Sequence, residues 1–409
     1  MRFAPIVLLA AAGCLHAGEA DAEAVLSSLR GRHLPYGMVA DPVFDGPESD
    51  QVIVYTHCGD SAIWTGHLLA AESFRYAVTR SDDAMVGVLY ALDGIRKLID
   101  VTGNDLLARC AFPSDSPYAT SWISEESQHG HYSGIVDGQA WTWIGDTSRD
   151  QYLGVFFGLT AAWNAVDDAR VRGGVAALAT RLLRNLDDHG WAVTMPDGRL
   201  STSFGARADQ RLMMLKLGRR VNPGKFETRY KWGAPFLAPG VAAPIAFEVL
   251  EPHDSYFKFN LDHIVFYGLL TGGDSSWLEA NYRNGFALLR RTTDDHGNAF
   301  FDAVELAVNG PNAARDERIA LLLDAWLTRP RRDFGVDLRG EREACGENQA
   351  CHAIEVPLRV TTDFLWQRSP FQLYGGGSGR IEGAGIDYLL PYWMVRYCLG
   401  AAGDGWSGR

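Results

Sequence analysis

The sequence predicts an all-α fold in which buried inner helices pair with amphipathic outer helices to form a toroid. The first observation is the segment from Asp146, where the N-cap types Thr147 and Ser148 precede a helix apolar on nearly every face. The second is that this design, a polar head followed by a buried helix, recurs along the chain. The third is an internal repeat, since LLRNLDDHG and LLRRTTDDHG are near copies with Asp187 and Asp294 at equivalent positions.

Helix pairs are predicted in chain order from these signals. The first pair covers 62–79 and 84–101 and is followed by a short strand at 106–109. The second pair covers 148–166 and 169–186. A third pattern of this kind begins at Asn260, and its partner covers 275–292. Six inner helices are predicted, and they are headed by Asp60, Asp150, Asp209, Asp262, Asp316 and Asp387.

The remaining segments are less regular. The stretch 241–250 is expected to serve as the third outer helix, whereas the fifth outer helix is poorly marked. A long insertion at 111–142 carries several aromatic residues, which argues against simple disorder. Residues 330–382 are expected to form an elaborate extended region, so long loops and short strands should surround the mouth of the toroid.

Composition and charge restrict the class of partner. The chain has 409 residues, of which 47% are hydrophobic, and it carries a net charge of −12 with no run of Lys or Arg. This balance argues against a nucleic-acid-binding surface. Twelve Trp, 15 Tyr and 19 Phe suit stacking on a carbohydrate or another neutral substrate, although a large core would also account for them.

The N-terminus is typical of an export signal. Met1–Ala17 has one Arg, an apolar run and small residues at its end. Cleavage after Ala17 would release a secreted or periplasmic protein, whereas Ala11-Ala12-Gly13-Cys14 resembles a bacterial lipobox and would place a lipid on Cys14. Membrane attachment is expected only through that lipid. The rest, 18–409, is expected to form a single toroidal catalytic domain, and the sequence leaves its oligomeric state open.

The cysteines fit an oxidising compartment. Of the six, Cys345 and Cys351 flank a short polar loop and are the expected disulfide. The sequence does not pair Cys58, Cys110 or Cys398. No Cys/His spacing indicates zinc, so neither a metal nor a cofactor is predicted.

If all inner helices run the same way, their N-termini and acidic heads meet at one opening. Helix N-termini carry unpaired N–H groups and a partial positive charge, which favour carboxylates. Each single Asp is therefore explained by capping of its own helix. The set of carboxylates and aromatic residues around one cleft is what indicates a functional site.

The Asp-headed helix pairs resemble the six-hairpin glycosidase superfamily, the (α/α)6 toroids. Ser148-Arg149-Asp150-Gln151, followed by Tyr152 and Gly154, is similar to the S-R-G-Q-x-W-type segment of unsaturated glucuronyl hydrolases, with Asp in place of Gly. The resemblance covers about residues 57–400 in architecture. It implies a glycoside hydrolase, a polysaccharide lyase or a sugar epimerase with its substrate in the central cleft, and fold analogy does not choose the reaction.

The leading site hypothesis combines His57, Asp60 and Trp64 with Arg149 and Asp150. Glycoside hydrolysis needs one carboxyl group as acid and a second as base or nucleophile, which Asp60 and Asp150 on adjacent helix mouths would supply. Arg149 would bind a uronate carboxylate or lower a pKa. The alternative is an Arg–Asp ion pair that joins two helices.

The insertion supplies a second group, which comprises Glu125, Glu126, His129 and His131. These side chains would provide an acid or base or would clamp the substrate, whereas the alternative is a solvated polar loop.

A third group lies between His253 and His263 and includes Tyr256, Asn260 and Asp262. Lyases remove a proton next to a uronate carboxylate with a His or Tyr base, and this segment has that mix. His263 precedes an apolar helix, so a buried structural histidine is the alternative.

The fourth group lies in the C-terminal run. Gly375–Gly379 is expected to be a mobile lid, with Glu382 and Asp387 near the mouth. Aromatic side chains that would stack on sugar rings, or instead pack beneath the lid, are Trp143, Trp366, Phe371 and Tyr374.

The sequence therefore predicts an exported enzyme that hydrolyses glycosidic bonds, with Asp60 and Asp150 as the leading catalytic residues. A lyase or epimerase that uses His263, Tyr256 or His131 is the second prediction. A glycan-binding protein without catalysis is the third.

Overall fold

The computed structural model of the chain describes residues 18–251, 253, 256–360 and 368–402, with side chains through residue 400. This part of the chain is mostly helical, with short strands between the helices, which agrees with the predicted class. The predicted leader 1–17, with Cys14, and the predicted stacking residue Trp366 lie outside the described residues.

Helices occur throughout the described part of the chain. They are α1 Glu19–Arg32, α2 Ser61–Thr79, α3 Asp82–Asp100, α4 Ala119–Glu125, α5 Arg149–Ala165, α6 Ala169–Asp188, α7 Ala208–Val221, α8 Pro223–Leu237, α9 Ala242–Glu248, α10 Phe257–Leu270, α11 Ser276–Thr293, α12 Ala299–Asn309, α13 Ala313–Leu327 and α14 Ile386–Ala402.

The strands are short and lie mostly in the connections. They are β1 Asp41–Phe44, β2 Val52–Thr56, β3 Cys110–Pro113, β4 His131–Val136, β5 Gln139–Ile144, β6 Ala192–Thr194, β7 Leu200–Ser203, β8 Arg332–Asp337, β9 Ala344–Gly346, β10 Gln349–Ala350 and β11 Tyr374–Glu382.

Six helices, α2, α5, α7, α10, α12 and α14, are buried over most of their length. Each packs against at least two others of this set: α2 contacts α5 and α14, α7 lies between α5 and α10, and α12 lies between α10 and α14, while α5 and α10 also contact each other. Apolar residues on nearly every face of α5, α10 and α14 explain their position, because such a helix has no surface suited to water, whereas α7 also buries Asp209, Gln210 and Lys216. Their side chains belong to one connected core that runs from Ala22 to Leu399.

The other long helices cover this layer and bury one face each. Helices α3, α6, α8 and α11 pack on α2, α5, α7 and α10 respectively, while α13 packs on α12 and α14 and α1 packs on α14. In α6, for example, the buried positions Val171, Val175, Leu178 and Leu182 recur at helical spacing.

Glycines bring α2 and α5 into direct backbone contact. A Cβ on Gly66 would lie 2.1 Å from the carbonyl oxygen of Gly154, and a Cβ on Gly158 would lie 2.3 Å from the carbonyl oxygen of Gly66. No side chain fits at these distances, so the three glycines determine how closely the two helices pack.

The buried helices begin at one end of the molecule, which we call the mouth. Gln151 at the start of α5 bonds Asp60 at the start of α2, and Arg207 before α7 bonds Asp262 in α10. At the opposite end, the last turns of α5, α10, α12 and α14 surround a cavity of about 430 Å³. The helices therefore run in a common direction.

Antiparallel sheets flank the mouth. One has the strand order β2-β1-β11-β8, and its register pairs Val43 with Ile381. A second has the order β3-β5-β4 and is formed by the insertion, for which the sequence predicts an irregular structure. These sheets deliver Asp41, Glu382 and the loop after α4 to the helix starts.

Three details differ from the sequence predictions. Asp316 lies in α13, which buries only one face, and the buried helix of that pair is α12, which carries Asp302. The partner of α7 is α8, an unpredicted helix, and α9 covers only part of the stretch 241–250. The predicted strand at 106–109 is instead irregular, and the strand begins at Cys110.

The expected disulfide Cys345–Cys351 is confirmed, and a second joins Cys58 to Cys110, while Cys398 is a free thiol. Within the described residues, no helix has both the length and the apolar character needed to cross a bilayer.

Substitution of Gly158 tests the α2–α5 contact. We expect Gly158→Ala to lower the free energy of unfolding by about 1–3 kcal/mol, because the new methyl group overlaps the backbone of α2. Gly173 in α6 is the control, since a Cβ there meets no atom within 4 Å. Gly173→Ala should raise stability by up to about 1 kcal/mol through helix propensity. Urea unfolding of both variants measures the difference, and equal effects would contradict a close contact at Gly158.

Candidate active site

The starts of α2 and α5 are held together by amide and guanidinium hydrogen bonds. The side chain of Gln151 donates to Asp60 Oδ1 at 3.0 Å and accepts from the backbone N–H of Ile63 at 2.9 Å. Asp60 and Asp150, the two predicted catalytic residues, are both half-buried at this position. The structure therefore places them on neighbouring helix starts, as the sequence predicted.

Arg109 braces the same two helix starts. Its guanidinium donates to the carbonyl oxygen of Gly59 at 2.9 Å and to Ser148 Oγ at 2.8 Å. Ser148 in turn donates to the carboxylate of Asp150, which also accepts from the backbone N–H of Gln151 at 3.0 Å. Asp150 is thus held by neutral donors and faces the same mouth as Asp60.

His57 is oriented by a carboxylate that the sequence did not suggest. Its Nδ1 lies 2.8 Å from Asp41 Oδ2, and because an ionised carboxylate only accepts, the ring donates at this atom. Asp41 is almost wholly buried, whereas about a third of the His57 side chain is exposed. His57 also has a left-handed backbone, with φ 58°. Since Nδ1 is directed to Asp41, any role of this ring as a base falls to Nε2.

A second histidine extends this arrangement inward. His33 is wholly buried, with Nδ1 3.5 Å from Asp41 Oδ1 and Nε2 3.4 Å from Glu382 Oε1. Burial opposes ionisation of Asp41, but its hydrogen bonds to His33 and His57 outweigh burial and lower its pKa. Burial likewise opposes ionisation of Glu382, yet His33 and Arg331 lower its pKa to about 2. Both acids are therefore anions at neutral pH.

The insertion brings two further carboxyl groups to α2. Glu126 Oε1 accepts from the backbone N–H of Gly59 at 2.9 Å, and Glu125 accepts from that of His57 at 3.1 Å. Burial raises the pKa of Glu126 despite the Gly59 hydrogen bond, and the neighbouring charge of Glu125 raises it further. His129 Nε2 lies 3.6 Å from Glu126, and burial lowers the pKa of this histidine. A carboxyl group with a raised pKa thus lies against Gly59, the residue before Asp60.

An ion-pair network occupies the other side of the mouth. Arg207 donates to both oxygens of Asp209, at 3.1 and 2.8 Å, to Glu248 at 2.8 Å and to Asp262 at 3.4 Å. Burial and the carboxylate of Glu248 raise the pKa of Asp262 well above its usual value. Arg149 lies next to this network and donates to the carbonyl oxygen of Ser203 at 3.3 Å.

His263 and Tyr256, which the sequence predicts as candidate bases, are instead buried in the core. His263 is 0% exposed and stacks on Phe301 with ring centroids 3.7 Å apart, between α10, α11 and α12. Burial lowers its pKa well below the usual value, so it is a neutral core residue. Tyr256 is also buried and hydrogen-bonds His296 Nδ1 at 3.2 Å, and burial raises its pKa. Neither side chain reaches solvent at the mouth.

Four other residues that the sequence predicts to contact the substrate also lie away from the solvent-exposed part of the mouth. Trp143 is buried against Tyr132, and His131 is exposed on β4 in the sheet of the insertion. Asp387 is buried and accepts from Trp326 Nε1 at 3.1 Å and from Arg329 at 3.5 Å. Trp64 is buried too, and it borders a cavity of about 10 Å³, the size of one water molecule, beside Asp41 and Asp387.

The glycine-rich segment is part of a strand, whereas the sequence predicts a mobile lid. Gly375–Gly379 lies in β11, where Gly375 pairs with Val336 of β8. Phe371 is buried and stacks on His253, with ring centroids 3.9 Å apart, so it packs inside the protein. Tyr374 is 37% exposed, and the guanidinium of Arg339 lies over its ring at 4.2 Å. Backbone pairing with β8 therefore holds this segment in place.

Three carboxyl groups lie close enough together to bind one cation. Asp294, Asp302 and Glu305 have carboxylate oxygens within 4.8 Å of one another. Arg290 donates to all three acids, and Arg318 donates to Asp302 and Asp294. Arg315 lies 3.8 Å from Glu305, so three guanidinium groups balance the three carboxyl groups, which identifies the cluster as an ion-pair network between α11, α12 and α13.

Asp41 and His33 are among the described mouth residues that the sequence did not indicate. They lie in the N-terminal arm, where no periodic pattern or motif marks them. Glu382, which the sequence predicts near the mouth, lies beside His33.

Comparisons with known proteins give no relative for this chain. No family model matches it, and searches of curated proteins and of solved structures find no match either. The site is therefore interpreted from its own geometry.

The Asp262–Glu248 pair predicts a pH-dependent stability. An acid whose pKa is raised by folding favours the native state at low pH, and this stability is lost as pH rises through the raised value. We expect wild-type protein to lose stability as pH rises from the ordinary pKa of an aspartate through the raised pKa of Asp262. Asp262→Asn should make the urea unfolding free energy less dependent on pH. Glu248→Gln, which removes the neighbouring charge, should reduce the dependence in the same direction, and an unchanged dependence in both would refute the assignment.

Proposed function

We propose that the chain is an (α/α)6 toroid that hydrolyses glycosidic bonds in an oligosaccharide or polysaccharide, with uronate-containing glycans among the candidate substrates. Support for the toroid comes from the closed order of contacts α2-α5-α7-α10-α12-α14-α2 and from the outer helices that cover it. Its six helix starts converge on the mouth, where their N–H groups favour bound carboxylates and developing negative charge. The leader supports export of the enzyme to the periplasm, the envelope surface or the medium.

The observation that carries the hydrolase proposal is the environment of Glu126. Glycoside hydrolysis requires a carboxylic acid that remains protonated long enough to donate to the leaving oxygen. Burial raises the pKa of Glu126, and its carboxyl lies against the start of α2 beside Asp60. We assign Glu126 the role of general acid.

Asp60 and Asp150 supply the second carboxylate. Each accepts a hydrogen bond from a neutral side chain, Gln151 and Ser148 respectively, which orients the carboxyl group. One of them acts as the base that activates water or as the nucleophile. Arg109 fixes both helix starts through Gly59 and Ser148, so the spacing of the two acids is rigidly determined.

The Asp41–His57 pair favours a lyase or epimerase as the second candidate. A partly exposed imidazole whose Nδ1 donates to a buried carboxylate is a strengthened base at Nε2. Removal of the proton next to a uronate carboxylate would use this base. In that reaction the carboxyl groups of Asp60 and Asp150 would bind the sugar hydroxyls.

A panel of glycans tests these proposals with two readouts. New reducing ends without ultraviolet absorbance indicate hydrolysis, whereas absorbance from an unsaturated uronate indicates a lyase. An altered sugar configuration without cleavage indicates an epimerase. Glycan binding with none of these products would overturn both enzyme proposals in favour of a binding protein.

Glu126→Gln tests the acid. We expect kcat/KM to fall by about 10²–10⁴, because the amide cannot donate the catalytic proton. In wild-type enzyme the rate should decrease as pH rises through the raised pKa of Glu126, since only the protonated form is active. The variant should lose this alkaline limb. Asp115→Asn, an exposed acid in the same insertion, is the control and should retain full activity.

Asp60→Asn and Asp150→Asn test the second carboxylate, and His57→Gln separates the two reactions. If the enzyme is a hydrolase, kcat of at least one Asn variant should fall by about 10²–10⁴, while His57→Gln retains measurable turnover. If it abstracts a proton, His57→Gln should lose more activity than either Asn variant. Full activity in both Asn variants would exclude the proposed carboxylates, and circular dichroism with urea unfolding checks that each variant is folded.

A further inference from the structure

An exposed apolar surface lies on α8, α9 and the start of α10. Its large side chains are between 42% and 83% exposed, and we call the set the α8–α9 surface. It comprises Trp232, Phe236, Phe247, Leu250 and Phe257. Single exposed apolar residues are ordinary, but several large ones in one short part of a chain indicate an interaction site.

This surface borders the mouth. Helix α8 returns along α7, whose start carries the Arg207 network, so Trp232 and Phe236 in the second half of α8 lie toward the mouth. Glu248 at the end of α9 bonds Arg207 at 2.8 Å, and Phe247 and Leu250 flank this residue in the chain. Phe257 begins α10 at the same end of the molecule.

The segment is unusually poor in charge. Residues 232–250 read WGAPFLAPGVAAPIAFEVL and contain one ionisable side chain, Glu248. That carboxylate is turned inward to Arg207 and is mostly buried. The outward face of this segment therefore carries no charge, and transfer of that face into an apolar medium costs no desolvation of an ion.

Basic side chains lie next to the α8–α9 surface, although the protein as a whole is acidic. The chain has a net charge of −12 and only five lysines, four of which fall between positions 216 and 258. Lys216 is buried, but Lys225 and Lys231 are exposed on α8 and Lys258 follows Phe257. On α8 these lysines and an arginine outnumber a single acid, Glu227, which pairs with Lys231 at 3.0 Å.

We propose that the α8–α9 surface docks the protein on an anionic lipid bilayer. Trp, Phe and Leu side chains with adjacent lysines are the composition of segments that lie in the membrane interface, where the rings enter the headgroup–acyl boundary and the ammonium groups bind lipid phosphates. Because the surface borders the mouth, docking turns the helix starts toward the headgroups. A substrate at the bilayer surface is then within reach, and this holds whichever reaction the mouth catalyses.

Vesicle flotation tests the proposal with the full chain. We compare phosphatidylglycerol-containing vesicles with purely zwitterionic ones, in a Cys14→Ser background that removes the candidate site of lipid attachment. The triple variant Trp232→Ser, Phe236→Ser, Phe247→Ser should bind anionic vesicles at least about tenfold more weakly. Lys225→Glu with Lys231→Glu should weaken binding to anionic vesicles only. Raising salt from about 0.05 to about 0.5 M should weaken binding of the unsubstituted surface.

The matched control removes three exposed apolar side chains elsewhere. Ile135, Leu200 and Leu321 are each more than half exposed, and their replacement by Ser should leave vesicle binding unchanged. Equal loss in the control, or no difference between the triple variant and the parent, overturns the proposal. Concentration-dependent dimerisation that only the triple variant abolishes, without vesicle binding, also overturns it, because the surface then joins two copies of the chain. Activity on a soluble glycan reports separately on the proposed reaction.

Discussion

The backbone contact between α2 and α5 is the constraint on which the mouth depends. Gly66, Gly154 and Gly158 allow the two helices to approach until carbonyl oxygens lie where side chains would otherwise stand. Two helices packed this closely have little freedom to slide, because overlap of backbone atoms rises steeply with displacement. Their first turns, which carry Asp60 and Asp150, are consequently fixed relative to each other. Arg109 and Gln151 refine a spacing that the glycines determine.

The acidic heads of the buried helices have unequal roles. Helix capping explains their residue type, yet the N-cap acid Asp60 makes no side-chain capping bond to its own helix. Asp209, Asp262, Asp302 and Asp387 instead bond guanidinium groups from neighbouring segments, as expected for carboxyl groups that are withdrawn from water. These pairs join the layers of the fold. The half-buried acids near Glu126 are the ones that remain in contact with the mouth.

Much of the helical framework was predictable, because long apolar stripes with polar N-termini leave few alternatives. Helices α2, α3, α5, α6, α10 and α11 begin and end within a few residues of the predicted bounds. Helix α12 was missed because it is short and its acid, Asp302, follows two Phe residues, whereas Asp316 heads a stretch that looks like the other inner helices. Burial on one face or on all faces is decided by neighbours that one segment does not reveal.

The candidate site was predictable only in part. Acids at helix starts can be located from sequence, so Asp60 and Asp150 were identified as neighbours. The Asp41–His57 bond depends on strand register and on a left-handed residue, both of which are tertiary features. Likewise, sequence spacing could not show that His263 would face Phe301 in the core.

The bond between Cys58 and Cys110 links the site to the chemistry of the cell compartment. Cys58 precedes Gly59, whose backbone N–H donates to Glu126, and Cys110 follows Arg109 at the start of β3. In a reducing cytoplasm, glutathione would keep both cysteines as thiols, and the same segments would be held by packing alone. Oxidation of Cys58 and Cys110 therefore adds a covalent link between the two segments that flank Glu126 and Arg109.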